Sequence, residues 1–262
     1  MTTQQLKSAT RDGITLRHTD TGAGDPPLVF IHGWTCNRTN WRGQAPFFEK
    51  KHRVVAVDLR GHGESDKPDQ DYTIEVFADD VAWLIAEIGL EKPVIVGHSM
   101  GGVIALNLVR KHPGLAGAAV FIDSPLVPLP ETARGLIPPL LAGMQSPAYK
   151  SVAEGFARMQ FFNAKSPPEL VDELVTSMSQ APQRLMHTAM MSILDEKSIP
   201  AGAIPVPSLF IGAGEPQIAS PDELRARYPG IGVVTIPAAH FVMMEQPDAT
   251  NNVISDFLDK LE

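Results

Sequence analysis

The sequence is poor in the residues and patterns that build metal or nucleotide sites. Cysteine occurs once, as Cys36, so neither an intramolecular disulfide nor a cysteine-rich metal site can form, and we expect Cys36 to be a small packed thiol. The sequence contains no His-Glu-x-x-His pattern, no calcium-binding loop and no glycine-rich nucleotide loop between a strand and a helix. We therefore expect neither a metal ion nor a nucleotide cofactor.

The chain also lacks long apolar runs and an excess of basic charge. No segment is long and apolar enough to span a bilayer, and residues 1–7 contain no apolar core of signal-peptide length. The 22 Lys and Arg residues are outnumbered by 30 Asp and Glu residues, which gives a net charge of −8. Nucleic acids and anionic membranes bind basic patches, so neither is expected as a partner. These features predict a cytoplasmic protein.

Apolar runs alternate with helical patterns over most of the 262 residues. The runs lie at residues 28–31, 53–57, 94–96, 118–122, 206–211 and 233–236. Buried strands that alternate with helices predict an α/β fold, with a mostly parallel sheet and helices on both faces. Before the first run, polar and apolar residues alternate around Asp12-Gly13, which predicts an antiparallel hairpin.

The alternation stops between about Pro125 and Pro200, where the chain is helical in pattern, punctuated by proline and rich in methionine. We interpret residues 125–199 as a helical cap inserted into a core domain formed by residues 1–124 and 200–262. The stretch Ser166-Pro167-Pro168-Glu169 predicts a helix start with an N-cap serine, a proline in the first turn and a glutamate three residues on. A short helix is also expected to start at Ser220-Pro221-Asp222-Glu223.

The stretch from Val94 to Gly102 joins an apolar strand pattern to a glycine-framed serine. It continues into a helical pattern, which predicts a sharp strand-to-helix turn with Ser99 at its apex. In such a turn, side chains at Gly97 and Gly101 would collide with neighbouring backbone. The helix that begins at Met100 directs free N–H groups towards the serine, which favours a nucleophile beside an oxyanion site.

Three further motifs accompany the Ser99 turn. They are His32-Gly33-Trp34, the stretch from Asp58 to Ser65, and Ala239-His240-Phe241 followed by Glu245-Gln246-Pro247. With these motifs in this order, the chain resembles the α/β-hydrolase family, in its compact, cap-bearing, esterase-like branch. The resemblance covers nearly the whole chain and implies the α/β-hydrolase fold and a cofactor-free serine hydrolase.

The resemblance also implies most of the catalytic groups. Ser99 matches the family's nucleophile, and His240, one of eight histidines, matches its base, whereas the histidines in the other glycine turns match structural positions. The oxyanion hole is expected to use the backbone N–H groups of Met100, which follows the nucleophile, and Trp34, which follows the first parallel strand.

The acid of the triad is open between two carboxylates. The family usually places an aspartate after the penultimate strand, where this sequence carries Glu215 instead. Asp123 follows the 118–122 run, a position that some branches of the family use. We favour Asp123, because a triad acid at the carboxyl end of a strand can reach the histidine, and we keep Glu215 as the alternative.

These residues predict hydrolysis of a small to medium, mainly apolar carboxylic ester through an acyl-enzyme. Within the same fold, the alternatives are hydrolysis of a carbon–carbon bond or a lactone. Dehalogenases and epoxide hydrolases of the family carry aspartate at the nucleophile position, and Ser99 disfavours them. A different class of function is a receptor that binds a small molecule in the capped pocket with little turnover.

Overall fold

The computed structural model describes residues 5–215 and 217–261. Residues 1–4 of the N-terminal segment 1–7 lie outside this part of the chain, as do the ends of the expected core domain at residues 1 and 262. Within the described residues, eight strands form one sheet in the order β1-β2-β4-β3-β5-β6-β7-β8. The strands are β1 (Leu6–Arg11), β2 (Ile14–Thr21), β3 (Leu28–Ile31), β4 (Val54–Asp58), β5 (Val94–His98), β6 (Ala118–Ile122), β7 (Ser208–Ala213) and β8 (Gly232–Ile236).

The sheet is antiparallel at one edge and parallel elsewhere. Strands β1 and β2 form the predicted hairpin, with positive φ angles of 52° at Asp12 and 77° at Gly13 in its turn. Strand β2 runs antiparallel to β4, and the remaining neighbours pair in parallel. The predicted α/β fold with a mostly parallel sheet is therefore confirmed.

The central strands are buried along their whole length. Every residue of β3, β4, β5, β6 and β7 is buried, as expected for parallel strands covered by helices on both faces. The edge strand β8 differs, because its first four residues are partly or fully exposed. Since parallel strands end at one edge of the sheet, the loops that follow them converge there, where α/β folds bind ligands.

Helices connect the strands and form the insertion between β6 and β7. They are α1 (Ala45–Phe48), α2 (Ile74–Glu87), α3 (Met100–Lys111), α4 (Glu131–Arg134), α5 (Ile137–Gln145), α6 (Tyr149–Phe161), α7 (Pro168–Met178), α8 (Gln183–Leu194), α9 (Pro221–Arg227), α10 (Val242–Glu245) and α11 (Pro247–Leu258), with 3₁₀ turns at Arg38–Trp41 and Glu196–Ser198. Helices α4 to α8 make up the helical cap insertion. Its treatment as a separate domain bounded at residues 125 and 199 stays a prediction.

Of the two predicted helix starts, the structure confirms one and corrects the other. The Ser220 hydroxyl accepts a hydrogen bond from the Glu223 N–H and the Glu223 carboxylate returns one, so this helix start is confirmed. The prediction for Ser166 is wrong, because α7 begins at Pro168 and the N-cap position belongs to Pro167. A residue before proline is held out of the helical region, and Pro167 accordingly has a ψ of 124°. The Ser166 hydroxyl is thereby free to donate to Glu245 Oε1, at 2.8 Å.

Tyr228 joins the two chain segments that lead into and out of the cap. Its side chain is fully buried at the end of α9. Its hydroxyl donates to the carbonyl of Leu126 at 2.7 Å and lies 3.5 Å from the carbonyl of Ile199. One buried hydroxyl from the core thus contacts both ends of the insertion.

Replacement of this hydroxyl is expected to destabilise the protein. Tyr228→Phe leaves the buried Leu126 carbonyl without its donor, so the free energy of unfolding should fall by about 1–2 kcal/mol in urea denaturation. Tyr149→Phe, at the partly exposed start of α6, is the control and should change this free energy by less than about 0.5 kcal/mol. Equal effects from the two variants would show that the Tyr228 hydroxyl has no special role at the base of the cap.

Candidate active site

Ser99 lies in a strained turn between β5 and α3. Its φ of 54° and ψ of −119° fall in a region that residues with a side chain rarely adopt. Two backbone hydrogen bonds hold the turn: the Ser99 N–H donates to the Ile122 carbonyl at 2.9 Å, and the Gly102 N–H donates to the Ser99 carbonyl at 3.0 Å. The neighbouring strand β6 and the first turn of α3 therefore maintain the strain.

The glycines on either side of Ser99 are required by close packing. A Cβ on Gly97 would overlap the Gly101 carbonyl, and a Cβ on Gly101 would overlap the Ile31 carbonyl at the end of β3. Alanine at either position would force α3 away from the sheet. The expected collisions are thus present, with the helix at one glycine and with a strand at the other.

His240 and Asp123 form a buried hydrogen-bonded pair. His240 Nδ1 lies 2.7 Å from Asp123 Oδ2, and both side chains are almost completely buried. The second carboxylate oxygen of Asp123 accepts a hydrogen bond from the Ala213 N–H at 2.9 Å. An ionised carboxylate only accepts hydrogen bonds, so the proton lies on His240 Nδ1 and the lone pair on Nε2. This is the tautomer that a general base needs.

The two candidate acids lie in different environments. Asp123 directly follows β6, has a positive φ of 40° and contacts the imidazole as described. Glu215 is exposed, two residues beyond β7, and lines an open cavity of about 330 Å³. Of the two candidates, Asp123 is thus the one that contacts His240.

His98 connects the serine turn to the histidine loop. Its Nε2–H donates to the backbone carbonyl of His240 at 3.0 Å, and the two rings lie 4.7 Å apart. Burial holds the pKa of His98 well below its usual range, so its ring stays neutral. The residue before Ser99 therefore holds the backbone of His240 directly.

The turn after β3 lies against the other side of Ser99. A Cβ on Gly33 would lie only 3.2 Å from the Ser99 Cβ, so this turn is in contact with the serine. Met100 opens α3, and N–H groups in the first turn of a helix have no carbonyl partner within that helix. The turn that carries Trp34 and the helix that begins at Met100 therefore both adjoin Ser99.

His32 and Asp58 are buried side chains that hydrogen-bond to the turns near Ser99. His32 Nδ1–H donates to the Gly33 carbonyl at 2.8 Å, and its Nε2 accepts from the Leu59 N–H at 3.1 Å. The buried Asp58 carboxylate accepts from the backbone N–H groups of Arg38 and Glu64, at 2.7 Å and 2.9 Å, and pairs with the Arg38 guanidinium. Both side chains have their hydrogen-bonding groups engaged by neighbouring turns.

A series of aromatic rings, which the sequence does not reveal, runs from the Gly33 turn to His240. Trp34 meets Phe156 edge-on at 6.0 Å, and Phe156 meets Phe161 edge-on at 5.4 Å. Phe161 in turn stacks on the His240 imidazole, with ring centroids 4.5 Å apart and an interplanar angle of 24°. The Trp34 indole N–H also donates to the Met186 carbonyl in α8, at 3.1 Å. Helix α6 of the cap therefore contacts both Trp34 and the histidine, and α8 contacts Trp34.

The described residues contain neither a metal-binding cluster nor a helix that could cross a membrane. Among residues 5–215 and 217–261, no group of three or more His, Cys, Asp and Glu side chains is arranged to hold a metal ion. In that same part of the chain, no helix has the length and apolar character needed to cross a membrane.

Comparison with known proteins identifies the family. Residues 26–247 match the model of a family described as having the alpha/beta hydrolase fold. The chain belongs to the α/β-hydrolase family. The resemblance drawn from the four motifs is therefore confirmed, and the fold with it.

Three relatives illustrate the range of similarity within the α/β hydrolases. The AB hydrolase superfamily protein YisY of Bacillus subtilis (strain 168) is 28% identical over 263 residues, which cover 95% of this chain and 97% of the relative. A thermophilic esterase from Thermogutta terrifontis superposes with a TM-score of 0.83 at 27% identity, covering 98% of this chain and 99% of the other. The bifunctional esterase/perhydrolase DCH of Acinetobacter calcoaceticus is 37% identical over 122 residues, which are 46% of this chain and 44% of that protein. Esterases are thus among the relatives of this hydrolase.

Cys36 follows the Gly33 turn and is expected to be chemically inert. Its side chain is buried, and burial raises the pKa of the thiol to about 12, so almost no thiolate is present at neutral pH. Iodoacetamide should leave the native protein unlabelled and modify one cysteine after unfolding in urea, as measured by intact-mass spectrometry. Rapid labelling of the native protein would mean that Cys36 is accessible and ionisable, contrary to this expectation.

Proposed function

We propose that this α/β hydrolase is a serine esterase that cleaves small to medium, mainly apolar carboxylic esters through an acyl-enzyme. The hydrogen bond between Asp123 and His240 is the observation that carries the proposal. It leaves His240 Nε2 as a proton acceptor on a loop that His98 ties to the Ser99 turn. The esterases among the relatives support the same class of reaction.

In the acylation step, the Ser99 hydroxyl oxygen attacks the ester carbonyl. His240 Nε2 takes the hydroxyl proton as the new bond forms, and Asp123 stabilises the resulting imidazolium. The carbonyl oxygen becomes an oxyanion, which the backbone N–H groups of Met100 and Trp34 hold. Removal of one such donor in a serine hydrolase costs about 10²–10³ in kcat, so these two N–H groups contribute a large share of the rate.

Collapse of the tetrahedral intermediate expels the alcohol. The imidazolium returns its proton to the leaving oxygen, and the acyl group remains on Ser99. Water then attacks the acyl-enzyme, with His240 again the proton acceptor, and releases the carboxylic acid. Each proton that His240 accepts is returned in the same half-reaction, so the cycle needs no cofactor.

The aromatic rings beside the site support an apolar substrate. Trp34, Phe156 and Phe161 form a series of contacting rings from the Gly33 turn to His240, and Phe156 and Phe161 are partly exposed. Partly exposed aromatic rings bind apolar acyl or alcohol groups by removing them from water, at about 25 cal/mol for each Å² buried. A charged substrate would gain little from these rings.

Replacement of the nucleophile tests the proposed class. Ser99→Ala should reduce hydrolysis of a short-chain aryl acetate by about 10⁴-fold or more, because the remaining groups cannot form the acyl-enzyme. A fluorophosphonate should label wild-type Ser99 and leave Ser99→Ala unlabelled, as measured by peptide mass spectrometry. Undiminished turnover by Ser99→Ala would falsify the proposal. Tight substrate binding by the wild type with almost no turnover would favour a receptor instead.

Replacement of the two candidate acids identifies the triad acid. Asp123→Asn should lower kcat by about 10⁴-fold, because an amide cannot hold the required tautomer or stabilise the imidazolium. Glu215→Gln, a matched change from carboxylate to amide at an exposed position, should stay within about twofold of the wild type in the same assay. A larger loss from Glu215→Gln than from Asp123→Asn would transfer the role to Glu215.

A further inference from the structure

The short connection between helices α6 and α7 contacts the loop that carries His240. We call Phe161, Asn163 and Ser166 of this connection the cap clasp. The His240 backbone N–H donates to the carbonyl of Phe161, the last residue of α6, at 3.2 Å. The Phe161 ring also stacks on the imidazole, with centroids 4.5 Å apart. One residue of the cap therefore contacts both the backbone and the side chain of the proposed base.

A second residue of the cap clasp reaches the same loop through a bridging carboxylate. Glu245 Oε1 accepts a hydrogen bond from the Ser166 hydroxyl, and Glu245 Oε2 accepts one from the N–H of Ala239, each at 2.8 Å. Ala239 immediately precedes His240, and both Ala239 and Ser166 are buried. The Glu245 carboxylate thus connects the cap to the residue before the base.

A third contact extends the cap clasp to the neighbouring loop. The Asn163 side-chain N–H donates to the Glu215 carbonyl at 2.7 Å, and the Glu215 N–H donates to the Ala238 carbonyl at 3.3 Å. The loops after β7 and β8 are therefore held to each other and to the cap.

We propose that the cap clasp, together with the bridging Glu245, orients His240 for proton transfer, with Phe161 and Glu245 as the positioning residues. The inference rests on the proposed function, in which His240 is the base. Asp123 and His98 fix one ring nitrogen and the backbone carbonyl of His240, whereas Phe161 fixes the plane of the imidazole and the backbone N–H. Without Phe161, the imidazole can tilt about its bond to Asp123, which displaces Nε2, the proposed proton acceptor.

The first experiment compares two phenylalanines that are neighbours in the chain. Phe161→Leu should lower kcat for a short aryl acetate by about tenfold with little change in KM, because it disturbs the orientation of the base rather than the binding of this small substrate. Phe161→Tyr, which keeps the ring, should restore kcat to within about threefold of the wild type. Phe162→Leu is the control, because Phe162 stacks on Phe241 at 5.5 Å and not on His240, and its kcat should stay within about twofold.

The second experiment uses the bridging carboxylate. Glu245→Ala removes both hydrogen bonds and should lower kcat by about tenfold. Glu245→Gln should recover most of this loss, because the amide oxygen still accepts from the Ala239 N–H and the amide N–H donates to the Ser166 hydroxyl. If Phe161→Leu does not fold, the Glu245 pair decides the inference, and equal kcat values for Glu245→Ala and the wild type overturn it.

A spectroscopic measurement separates this inference from the proposed function. A stacked aromatic ring shifts the carbon-bound protons of His240 upfield in the NMR spectrum, and Phe161→Leu should remove that shift while Phe162→Leu keeps it. Loss of the shift with unchanged kcat in a protein that Ser99→Ala inactivates would refute the positioning role and leave the esterase intact. Retained turnover by Ser99→Ala would instead refute the esterase, whatever the spectrum of His240.

Discussion

The hydrogen-bond ladder of the parallel strands β5, β6 and β7 is the constraint on which the site depends. Ser99 and Asp123 both have positive φ angles directly after their strands. In each case the strained residue donates its N–H to a backbone carbonyl of the next strand: Ser99 to Ile122 at 2.9 Å, and Asp123 to Ile211 at 2.8 Å. Strain of this kind costs about 1–3 kcal/mol for each residue and persists only where the surrounding structure enforces it. The fully buried sheet supplies that enforcement, and it sets Ser99 and Asp123, the proposed nucleophile and acid, at adjacent strand ends.

The buried histidines show how one imidazole differs from its neighbours. His32 has both ring nitrogens bonded to backbone groups, and His98 donates to the His240 carbonyl. Burial lowers the pKa of each of them, so both rings stay neutral and serve as fixed supports. His240 is also buried, but a carboxylate lies on its Nδ1, and a carboxylate is the partner that stabilises a protonated ring. In the proposed mechanism only His240 therefore exchanges protons.

The sequence predicted those parts of the site that depend on local pattern. The alternation of apolar runs and helices defined the strands, and residues just beyond strand ends converge at one edge, so Ser99, Asp123 and His240 were recognisable together. Pattern alone did not decide between Asp123 and Glu215, because that choice depends on which of two adjacent loops turns towards the imidazole. The local pattern predicts that Ser166 caps its own helix, whereas its hydroxyl donates a hydrogen bond to the Glu245 carboxylate, 79 residues away. The contact of Phe161 with His240 has no sequence signal either, because an apolar residue at the end of a helix is ordinary.

His240 lies on a loop that the sheet supports less firmly than it supports Ser99 and Asp123. Ser99 and Asp123 follow interior strands that are bonded on both sides, whereas His240 follows β8, an edge strand with mostly exposed residues and only β7 as its neighbour. An edge strand restrains the loop beyond it less than an interior strand does, because half of its backbone hydrogen-bonding groups have no strand partner. The His240 loop is restrained instead by Asp123, His98, Phe161 and Glu245, from four different segments. Phe161 belongs to the cap and Glu245 bonds Ser166 of the cap, so in the proposed mechanism the insertion compensates for the weaker support that an edge strand gives to His240.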